Sequence, residues 1–455
     1  MQPLACFKAY DVRGRVPEEL NEDLAYRLGA AFAGLLAPSR VALGRDLRAS
    51  SLPLSQALAA GLLDRGVEVW DLGQCGTEQV YFYTSHLKLE GGIMVTASHN
   101  PPEYNGMKFV GRDSRPLSGD SGLKDLARLT LTPPPLAARG RGRRLALDSL
   151  TDYTAHLLSC VDLEALKPLK VVANAGNGGA GPVIDRLEAH LPFRFVKVHH
   201  DPDPAFPHGV PNPLVPENRR VTSQAVRDHG ADVGLAWDGD FDRCFFFDET
   251  GTFIEGYYLV GLLARMVLAR RPGGTVIHDP RLTWNTIELV QEAGGRPVLC
   301  KTGHAFIKER MRAEDAVYGG EMSGHHYFRD FYYCDSGMIP WLLVLELMCR
   351  RGQPLSALVR ERMARYPVSG EINRSVPDPE AVLRRVEARF GAQALSRDDT
   401  DGLSLEFPRW RFNLRPSQTE PVLRLNVETR QDPQLLQEKT AELLAVMAEA
   451  EPPAF

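Results

Sequence analysis

The sequence predicts an α/β protein of several domains, the last of which differs in pattern from those before it. Short apolar runs alternate with amphipathic stretches of helical period, as in layered α/β folds with largely parallel sheets. The chain has 455 residues, which is too many for one hydrophobic core. Nearly every apolar run ends in a glycine-rich or polar cluster. Ligands bind outside the carboxyl ends of strands in such sheets, so we expect the functional residues in these loops.

Seven apolar runs predict strands along the chain. They are RVALGRD (40–46), GGIMVTASHN (91–100), LKVVANAGNG (169–178), ADVGLAWDGD (231–240), GTVIHDP (274–280), RPVLCKTGH (296–304) and DAVYGGEMSG (315–324). Helices are predicted at residues 21–36 and 51–66, because apolar residues recur there at helical spacing and Gly66 is a suitable stop.

Breaks in this pattern predict the domain boundaries. The proline-rich and basic run 131–144 is interpreted as a solvated linker rather than a nucleic-acid or phosphate site, since it is short and has no aromatic residue. A turn-like segment at 248–256 and the run 365–380 mark two further breaks. We therefore expect four domains, at residues 1–142, 143–248, 249–366 and 367–455.

Composition and charge exclude several functional classes. The formal net charge is −5, which argues against non-specific nucleic-acid binding. The seven cysteines are scattered without a CxxC pair, so a disulfide framework is not expected. We see no signal peptide and no apolar window of membrane-spanning length. We expect a cytoplasmic protein without nucleic-acid or membrane partners, present as a monomer or a weak dimer.

The segment DGDFDR (238–243) is a candidate metal site. Asp238, Asp240 and Asp242 would repel one another unless a cation neutralised them, and oxygen-only ligands suit Mg²⁺. Arg243 could hold a phosphate oxygen. The alternative is a polar turn after a strand. A calcium loop of the EF-hand type, ending at Glu249, is rejected because Arg243 occupies the position that requires glycine.

The segment GNGGAG (176–181) supports a competing function. It fits the glycine pattern of dinucleotide-binding turns, which predicts a nicotinamide-dependent oxidoreductase. The pattern alone is weak, since glycine-rich turns between strand and helix are common. This reading also leaves Ser98 and the aspartate triplet without a role.

Ser98 lies at the end of a predicted strand, before two prolines, and has three possible roles. It could be an ordinary turn residue. It could be the nucleophile of a serine hydrolase, although the G-x-S-x-G motif is absent. It could carry a phosphoryl group beside Mg²⁺, and this third role uses the aspartate triplet as well.

Two clusters later in the sequence are candidate substrate-binding sites. An arginine with hydroxyls and loop amides can hold a phosphate, and a carboxylate with a hydroxyl can read vicinal sugar hydroxyls, although either cluster could be a surface turn. The clusters are Arg415, Ser417 and Thr419 in FNLRPSQTEPVLRL (412–425), and Glu321, Ser323 and His325 in GGEMSGHH (319–326).

Together these segments resemble the α-D-phosphohexomutase superfamily, and within it the bacterial phosphomannomutase/phosphoglucomutase enzymes. The resemblance runs along nearly the whole chain, with the motifs in the family's order. They are FKAYDVRG (7–14), TASHNPPEYNGMK (96–108), DGDFDR (238–243), KTGHAFIKERM (301–311), GEMSGH (320–325) and RPSQTEP (415–421).

The resemblance implies a fold and a reaction. The fold has four domains around a central cleft, the first three with related mixed α/β sheet cores and the fourth a smaller α+β domain. The reaction interconverts hexose 1-phosphate and hexose 6-phosphate, of mannose or glucose, through a phosphoserine and a hexose 1,6-bisphosphate that also serves as activator. Domain closure would keep water from the phosphoryl group.

The resemblance also implies a role for each candidate residue. Ser98 is the phosphoserine, and it shares Mg²⁺ with Asp238, Asp240 and Asp242. The remaining residues bind the phosphosugar substrate or assist transfer, namely Tyr10, Arg13, Lys108, Arg243, Arg281, His304, Glu321, Ser323, His325, Arg415, Ser417 and Thr419. Lys108 and His304 are candidates for the general base, and burial near cations would lower the pKa of a lysine enough to help. We favour Lys108 because it follows the Ser98 turn closely.

Some positions depart from the family pattern. Ala97 and Phe241 replace residues that are usually glycine, and Arg281 replaces a lysine. Phe241 must therefore point away from the metal or crowd it. The loop RPSQTEP (415–421) also resembles that of phosphoglucosamine mutases, which makes glucosamine phosphate the alternative substrate.

Overall fold

The computed structural model describes residues 5–119, 121–133, 135, 140–417 and 422–449. The chain divides into two compact units. The first comprises Met1–Ile254, Met311–Asp315 and Ser323–Leu355, and the second comprises Glu255–Arg310, Ala316–Met322 and Ser356–Phe455. Within the described residues, no helix combines the length and the apolar character needed to cross a bilayer.

The first sheet lies in the first unit and has six strands in the order β1-β5-β4-β2-β3-β6. Strands β4, β2, β3 and β6 pair in parallel, whereas β5 pairs antiparallel with β4 and β1. Its elements are β1 (Val12–Arg15), α1 (Glu22–Leu36), β2 (Arg40–Arg45), α2 (Ser51–Leu63), β3 (Glu68–Gln74), α3 (Thr77–His86), β4 (Gly91–Val95), β5 (Tyr104–Gly111), α4 (Leu123–Leu131) and β6 (Arg144–Ala146).

Both predicted helices of this region are present as α1 and α2. The two helices approach closely because each has a glycine, Gly29 in α1 and Gly61 in α2, that lies against the backbone of the other helix. A Cβ atom added at Gly29 would lie 2.2 Å from the Leu58 carbonyl oxygen, and one at Gly61 would lie 2.1 Å from that of Tyr26. Asn21 caps α1 by accepting a hydrogen bond from the Leu24 amide.

The second sheet also lies in the first unit, with five strands in the order β11-β10-β9-β7-β8. Strands β9, β7 and β8 are parallel, and β10 is antiparallel to β9 and β11. Its elements are α5 (Thr151–Ser159), β7 (Lys170–Asn174), α6 (Gly181–Glu188), β8 (Arg194–Val198), α7 (Pro216–His229), β9 (Val233–Trp237), β10 (Cys244–Phe247) and β11 (Phe253–Ile254).

The third stretch of the chain contributes to both units. In the second unit β12 pairs in parallel with β13 and β14, and in the first unit β15 and β16 form an antiparallel pair. Its elements are α8 (Gly256–Arg270), β12 (Thr275–His278), α9 (Trp284–Glu292), β13 (Arg296–Leu299), α10 (His304–Ala313), β14 (Tyr318–Gly320), β15 (His326–Phe328), β16 (Cys334–Asp335), α11 (Ile339–Arg351) and α12 (Leu355–Arg365).

The last sheet lies in the second unit and is wholly antiparallel, in the order β17-β21-β20-β19-β18. Its buried core includes Phe390, Phe412 and Leu425. Its elements are β17 (Val368–Ser375), α13 (Pro379–Phe390), β18 (Ser396–Asp398), β19 (Leu403–Glu406), β20 (Trp410–Pro416), β21 (Val422–Thr429) and α14 (Pro433–Ala448). Short 3₁₀ turns occur at Arg112–Ser114, Leu163–Ala165, Arg329–Phe331 and Gly391–Gln393.

These sheets confirm the predicted fold class. Each of the seven predicted runs contains a strand, and the first three stretches combine strand pairs of both directions with helices. The fourth stretch is smaller and antiparallel, as expected for the distinct last domain. The four boundaries given above stay a prediction.

Candidate active site

Two loops that follow buried strands of the first unit meet around Ser98. The loop after β4 carries Ser98, and the loop between β9 and β10 carries Asp238, Asp240 and Asp242. The Ser98 hydroxyl donates to Asp238 Oδ2 at 2.8 Å. Ser98 is only 4% exposed, so this hydrogen bond is largely shielded from solvent. The structure therefore brings the serine and the aspartate triplet together, although they are 140 residues apart in sequence.

Ser98 has an unusual backbone, with a φ angle of +50°. Non-glycine residues seldom adopt this left-handed conformation, and such strain persists where the surroundings enforce it. The Thr96 hydroxyl accepts a hydrogen bond from the Ser98 amide, and Arg48 donates to the carbonyl oxygens of Ser98 and Asn100. The buried Asp46 in turn binds Arg48 and Thr96. Arg48 and Asp46 were missed in the sequence, because nothing in RVALGRD (40–46) or in the two residues after it indicates that Arg48 reaches a loop 50 residues away.

The three aspartates form a candidate cation site. One carboxylate oxygen from each lies within 4.8 Å of the others, and all three side chains are buried. Burial raises the pKa of Asp238 to about 6, and the charges of Asp242 and Asp240 add to this despite the opposing effect of Arg243. Asp240 Oδ1 and Asp242 Oδ1 have no hydrogen-bond partner among the described residues. Buried acceptors without partners are costly, so the site suits a divalent cation with oxygen ligands.

Two cations lie among these carboxylates. Lys108 Nζ, on β5, lies 2.8 Å from Asp240 Oδ2 and 2.6 Å from Asp242 Oδ2. Arg243 Nη2 lies 2.6 Å from Asp238 Oδ2 and also donates to Ser98 Oγ at 3.4 Å. Three carboxylates thus face two cations in this cluster.

The expected pKa of Lys108 was wrong in direction. Burial lowers the pKa of its ammonium group, but the charges and hydrogen bonds of Asp240 and Asp242 outweigh burial and hold the pKa above its ordinary value. Two carboxylates contact Nζ, and their effect on the pKa is opposite to that of nearby cations. In this arrangement Lys108 neutralises charge, and its role as a general base stays a prediction.

Arg13 and His99 flank Ser98. Arg13, on β1, donates to Asn100 Oδ1 at 2.7 Å and so joins β1 to the serine loop. His99 Nδ1 lies 3.0 Å from Ser98 Oγ and also contacts Arg243. Burial lowers the pKa of His99 well below its ordinary value, and the charges of Arg243 and Arg13 add to this shift, which keeps the ring neutral. Tyr10 is half-buried in the segment before β1.

Ser323 and His325 also belong to the first unit. Ser323 Oγ lies 3.3 Å from His325 Nδ1, and His325 Nε2 lies 3.7 Å from Asp242 Oδ1. His325, Asp242 and Asp335 could together hold an ion, since one ligand atom from each lies within 4.8 Å of the others. The predicted sugar-reading histidine therefore lies beside the aspartate triplet.

Phe241 is fully buried. Its φ angle is +46°, which explains why glycine would suit this position. The ring lies against two glycines, because an added Cβ would come 2.1 Å from it at Gly76 and 3.1 Å from it at Gly179.

The same contacts give the glycines of GNGGAG a structural role. The Gly179 amide donates to the Gly239 carbonyl oxygen at 3.0 Å, and a Cβ at Gly178 would lie 2.9 Å from that oxygen. A Cβ at Gly181 would lie 2.2 Å from the His200 carbonyl oxygen. Gly178 and Gly179 let the turn pack against the aspartate loop, and Gly181 lets α6 approach His200, which accounts for the motif without a dinucleotide.

In the second unit, Arg281 is buried in a network of acids. Its Nη2 atom lies 2.7 Å from Asp279 Oδ2 and 3.6 Å from Glu321 Oε1. Glu321 Oε1 also accepts a hydrogen bond from the Gly303 amide, directly before His304 at the start of α10. Burial opposes the charge of Arg281, but these acids hold its pKa above the ordinary value. The structure thus brings Arg281, Glu321 and the His304 turn together.

Arg415 lies near the end of β20, and Glu371 on β17 binds it. Arg415 Nη2 lies 3.2 Å from Glu371 Oε2, and Arg424 Nη1 lies 3.3 Å from Glu371 Oε1. Ser417 follows β20 and donates its amide to the Val422 carbonyl oxygen. Thr419 lies outside the described residues. Glu371 and Arg424 were missed in the sequence, because only the strand pairing places them beside Arg415.

Comparison with protein families matches four domain models in order. They are described as phosphoglucomutase/phosphomannomutase α/β/α domain I (residues 5–129), domain II (151–251), domain III (255–366) and the C-terminal domain (371–446).

Individual proteins match over nearly the whole chain. A protein of Xanthomonas campestris pv. campestris named "Phosphohexose mutases" is 60% identical over 97% of this chain and 98% of its own length. A phosphomannomutase of Escherichia coli K12 is 56% identical over 99% of this chain and 100% of its own. Among solved structures, a phosphoglucomutase/phosphomannomutase family protein of Burkholderia thailandensis matches with a TM-score of 0.87 at 33% identity, covering 100% of both chains.

Proposed function

The chain belongs to the phosphoglucomutase/phosphomannomutase family, and on that premise we propose that it interconverts hexose 1-phosphate and hexose 6-phosphate. The substrate class is the phosphosugar on which its mutase relatives act by name. We propose mannose or glucose phosphate as the sugar, with glucosamine phosphate as the alternative because of the loop RPSQTEP.

One observation carries this proposal, namely the hydrogen bond between Ser98 Oγ and Asp238 within the buried aspartate triplet. A serine hydroxyl alone is a poor phosphoryl acceptor. Beside three carboxylates that need a cation, it is placed where the charge of a bound phosphoryl group can be neutralised. The oxidoreductase interpretation gives no role to this contact.

Asp238, Asp240 and Asp242, with the Ser98 oxygen, are the residues we propose to hold Mg²⁺. When bound, the ion would neutralise charge on the phosphoryl group and on the carboxylates. Oxygen donors favour Mg²⁺ over softer metals, which prefer sulfur or imidazole. Arg243 is placed to donate to a phosphoryl oxygen, since its guanidinium already reaches Ser98 Oγ.

In the proposed reaction, phosphorylated Ser98 transfers its phosphoryl group to the free hydroxyl of a bound hexose monophosphate. The bond between Ser98 Oγ and phosphorus breaks, a bond from the sugar oxygen to phosphorus forms, and the hydroxyl proton passes to a base. The product is a hexose 1,6-bisphosphate. After this bisphosphate turns around, its other phosphoryl group returns to Ser98, and the same molecule can prime an unphosphorylated enzyme as activator.

The proton acceptor is one of a few groups on the chain. Lys108 is protonated between Asp240 and Asp242, and it can accept a proton only after losing its own. His99 is neutral and lies beside Ser98 Oγ, so its imidazole is a further candidate. His304, in the second unit, remains a candidate as well.

The other residues take binding roles in this proposal. Glu321, Ser323 and His325 would read sugar hydroxyls, and Tyr10 and Arg13 would contact the transferred group. Arg415, Ser417 and Thr419 would bind the phosphate that does not react, and Arg281 would be a further substrate-binding residue. These assignments follow the family motifs and await mutagenesis. We also propose that the protein is cytoplasmic, which agrees with seven cysteines that form no disulfide, and that it is a monomer or a weak dimer.

Phosphopeptide mapping combined with an activity assay tests the function. The purified protein should carry phosphate on Ser98 and convert mannose 1-phosphate or glucose 1-phosphate to the 6-phosphate in the presence of Mg²⁺. Assay of glucosamine 1-phosphate alongside settles the sugar. An unmodified Ser98 that never becomes labelled by glucose 1,6-bisphosphate would contradict the phosphoserine, and a co-purified nicotinamide would support the oxidoreductase.

A further inference from the structure

Two arginines of the second unit lie directly opposite each other on neighbouring strands. Arg415 on β20 pairs with Arg424 on β21 in the antiparallel register. Side chains at such positions share one face of the sheet, and like charges there destabilise it. The pair must therefore be offset by an anion.

Glu371 supplies that anion from the third strand, β17. It uses one oxygen for each arginine, since Oε2 lies 3.2 Å from Arg415 Nη2 and Oε1 lies 3.3 Å from Arg424 Nη1. A third guanidinium, that of Arg281, lies 3.5 Å from Oε2. Burial raises the pKa of Glu371, but the three arginines outweigh burial and hold it below the ordinary value, so the carboxylate stays charged.

The other acids nearby do not replace Glu371 in this role. Asp279 lies 2.7 Å from Arg281 and thereby neutralises it, whereas Asp401 approaches Arg415 only to 4.0 Å. Among the residues that the structure describes, the two opposed arginines thus share the Glu371 carboxylate. Two guanidinium groups can donate more hydrogen bonds than two carboxylate oxygens accept, and a phosphate offers more acceptors and more charge.

We infer that Glu371 is a built-in counter-ion which the phosphate of the bound sugar replaces, and that Arg424 is a second phosphate-binding arginine beside Arg415. This inference rests on the proposed function, because the anion it names is the non-reacting phosphate of a hexose phosphate. Glu371 keeps the arginines ordered when no substrate is bound. It also weakens phosphate binding, since the ligand has to compete with it.

The substitution Glu371→Gln tests the counter-ion directly. It keeps the shape of the side chain and removes its charge. Without ligand the variant should melt at a lower temperature than the wild type, because the arginines repel each other. Inorganic phosphate should then raise its melting temperature more than it raises that of the wild type. Calorimetry should show glucose 6-phosphate binding about three- to tenfold more tightly, a change of up to about 1.4 kcal/mol.

A matched control is Glu387→Gln, which removes a carboxylate paired with Arg397 at a more exposed position of the same unit. Its response to phosphate should equal that of the wild type. If Glu371→Gln binds phosphate as the wild type does, or more weakly, Glu371 only positions the arginines and the inference is wrong.

The substitution Arg424→Gln provides a second test that does not depend on the stability of the first variant. Its affinity for inorganic phosphate and for glucose 6-phosphate should fall about tenfold. Unchanged affinity would remove Arg424 from the site. Neither measurement requires turnover, so a failed mutase assay would refute the proposed function while these binding results still decide the roles of Glu371 and Arg424.

Discussion

The Ser98 cluster of the first unit and the Arg415 cluster of the second unit are built with opposite charge. Around Ser98, the carboxylates of Asp238, Asp240 and Asp242 outnumber the cations of Lys108 and Arg243. Around Glu371, Arg415 and Arg424 outnumber the carboxylate that joins them in the part of the chain that the structure describes. The charge of the first cluster therefore suits a further cation, and the charge of the second suits an anion.

The two clusters also differ in how the fold holds them. The first is assembled from loops at strand ends, with Ser98 in a strained conformation fixed by Arg48. The second lies on adjacent strands, where register alone sets the spacing of the arginines. Transfer chemistry needs a loop that can present a side chain, whereas holding a phosphate needs only a fixed pair of donors. The predictions below test this division between chemistry and binding.

Ser98→Ala should have the largest effect, because it removes the hydroxyl that we propose to carry the phosphoryl group. Turnover should fall by at least about a thousandfold, while glucose 6-phosphate still binds. Steady-state kinetics and calorimetry measure the two quantities. Ser55→Ala is a control, since the Ser55 hydroxyl bonds only within its own helix in the described contacts. Turnover near the wild-type rate in Ser98→Ala would end the phosphoserine proposal.

Asp240→Asn should come next, since it takes one charge from the proposed cation site. We expect Mg²⁺ affinity and turnover to fall together by about a hundredfold. Titration of the chelator-treated protein with Mg²⁺, followed by calorimetry and by activity, measures both. Asp228→Asn, on the surface of α7, should match the wild type in both. Full activity of Asp240→Asn with chelator present would show that the triplet does not serve a metal.

Arg415→Ala should affect binding more than chemistry. The KM for glucose 1-phosphate should rise about tenfold or more, with a much smaller change in kcat, because a charge-assisted phosphate contact is lost. Arg397→Ala, which removes an exposed arginine of the same unit, is the control. An unaltered KM would mean that the Arg415 loop is a surface turn, and the contrast between the clusters would then fail.

Glu78→Gln should have the smallest effect of the four substitutions, and we expect it in the pH dependence of folding stability rather than in activity. Glu78 is fully buried at the start of α3 and accepts hydrogen bonds from Tyr153, Ser336 and Gly337. These bonds join α3 to α5 and to the segment after β16. Burial raises its pKa to about 8, although these hydrogen bonds oppose the shift.

The sign of the pH dependence follows from this raised pKa. Between the ordinary pKa of a glutamate and about pH 8 the folded state holds a proton that the unfolded state has released, so stability should fall as pH rises. The slope is at most about 1.4 kcal/mol per pH unit. Urea denaturation at several pH values measures it. The slope should flatten in Glu78→Gln and persist in the surface control Glu217→Gln; a slope that persists in both would assign the effect to another group.

The sequence by itself determined the fold class and the central chemistry of the candidate site. Alternation of apolar runs and helical stretches is a local property, and the strands that it predicted are present. Ser98 and the aspartate triplet could be found for the same reason, since each lies directly after such a run. Their closeness followed from the rule that strand ends carry the ligand site.

Only the tertiary structure decided which charges contact which. The pKa of Lys108 depends on Asp240 and Asp242, which lie more than 130 residues away in sequence. Lys108 is on a strand of the first sheet, and the two aspartates lie in a loop of the second sheet. Phe241 fits because Gly76 and Gly179 leave space for its ring. Arg424 stands beside Arg415 through strand register, which the local sequence does not specify. Electrostatic and steric effects depend on distances of a few ångströms between remote segments, and the chain fixes those distances only when it folds.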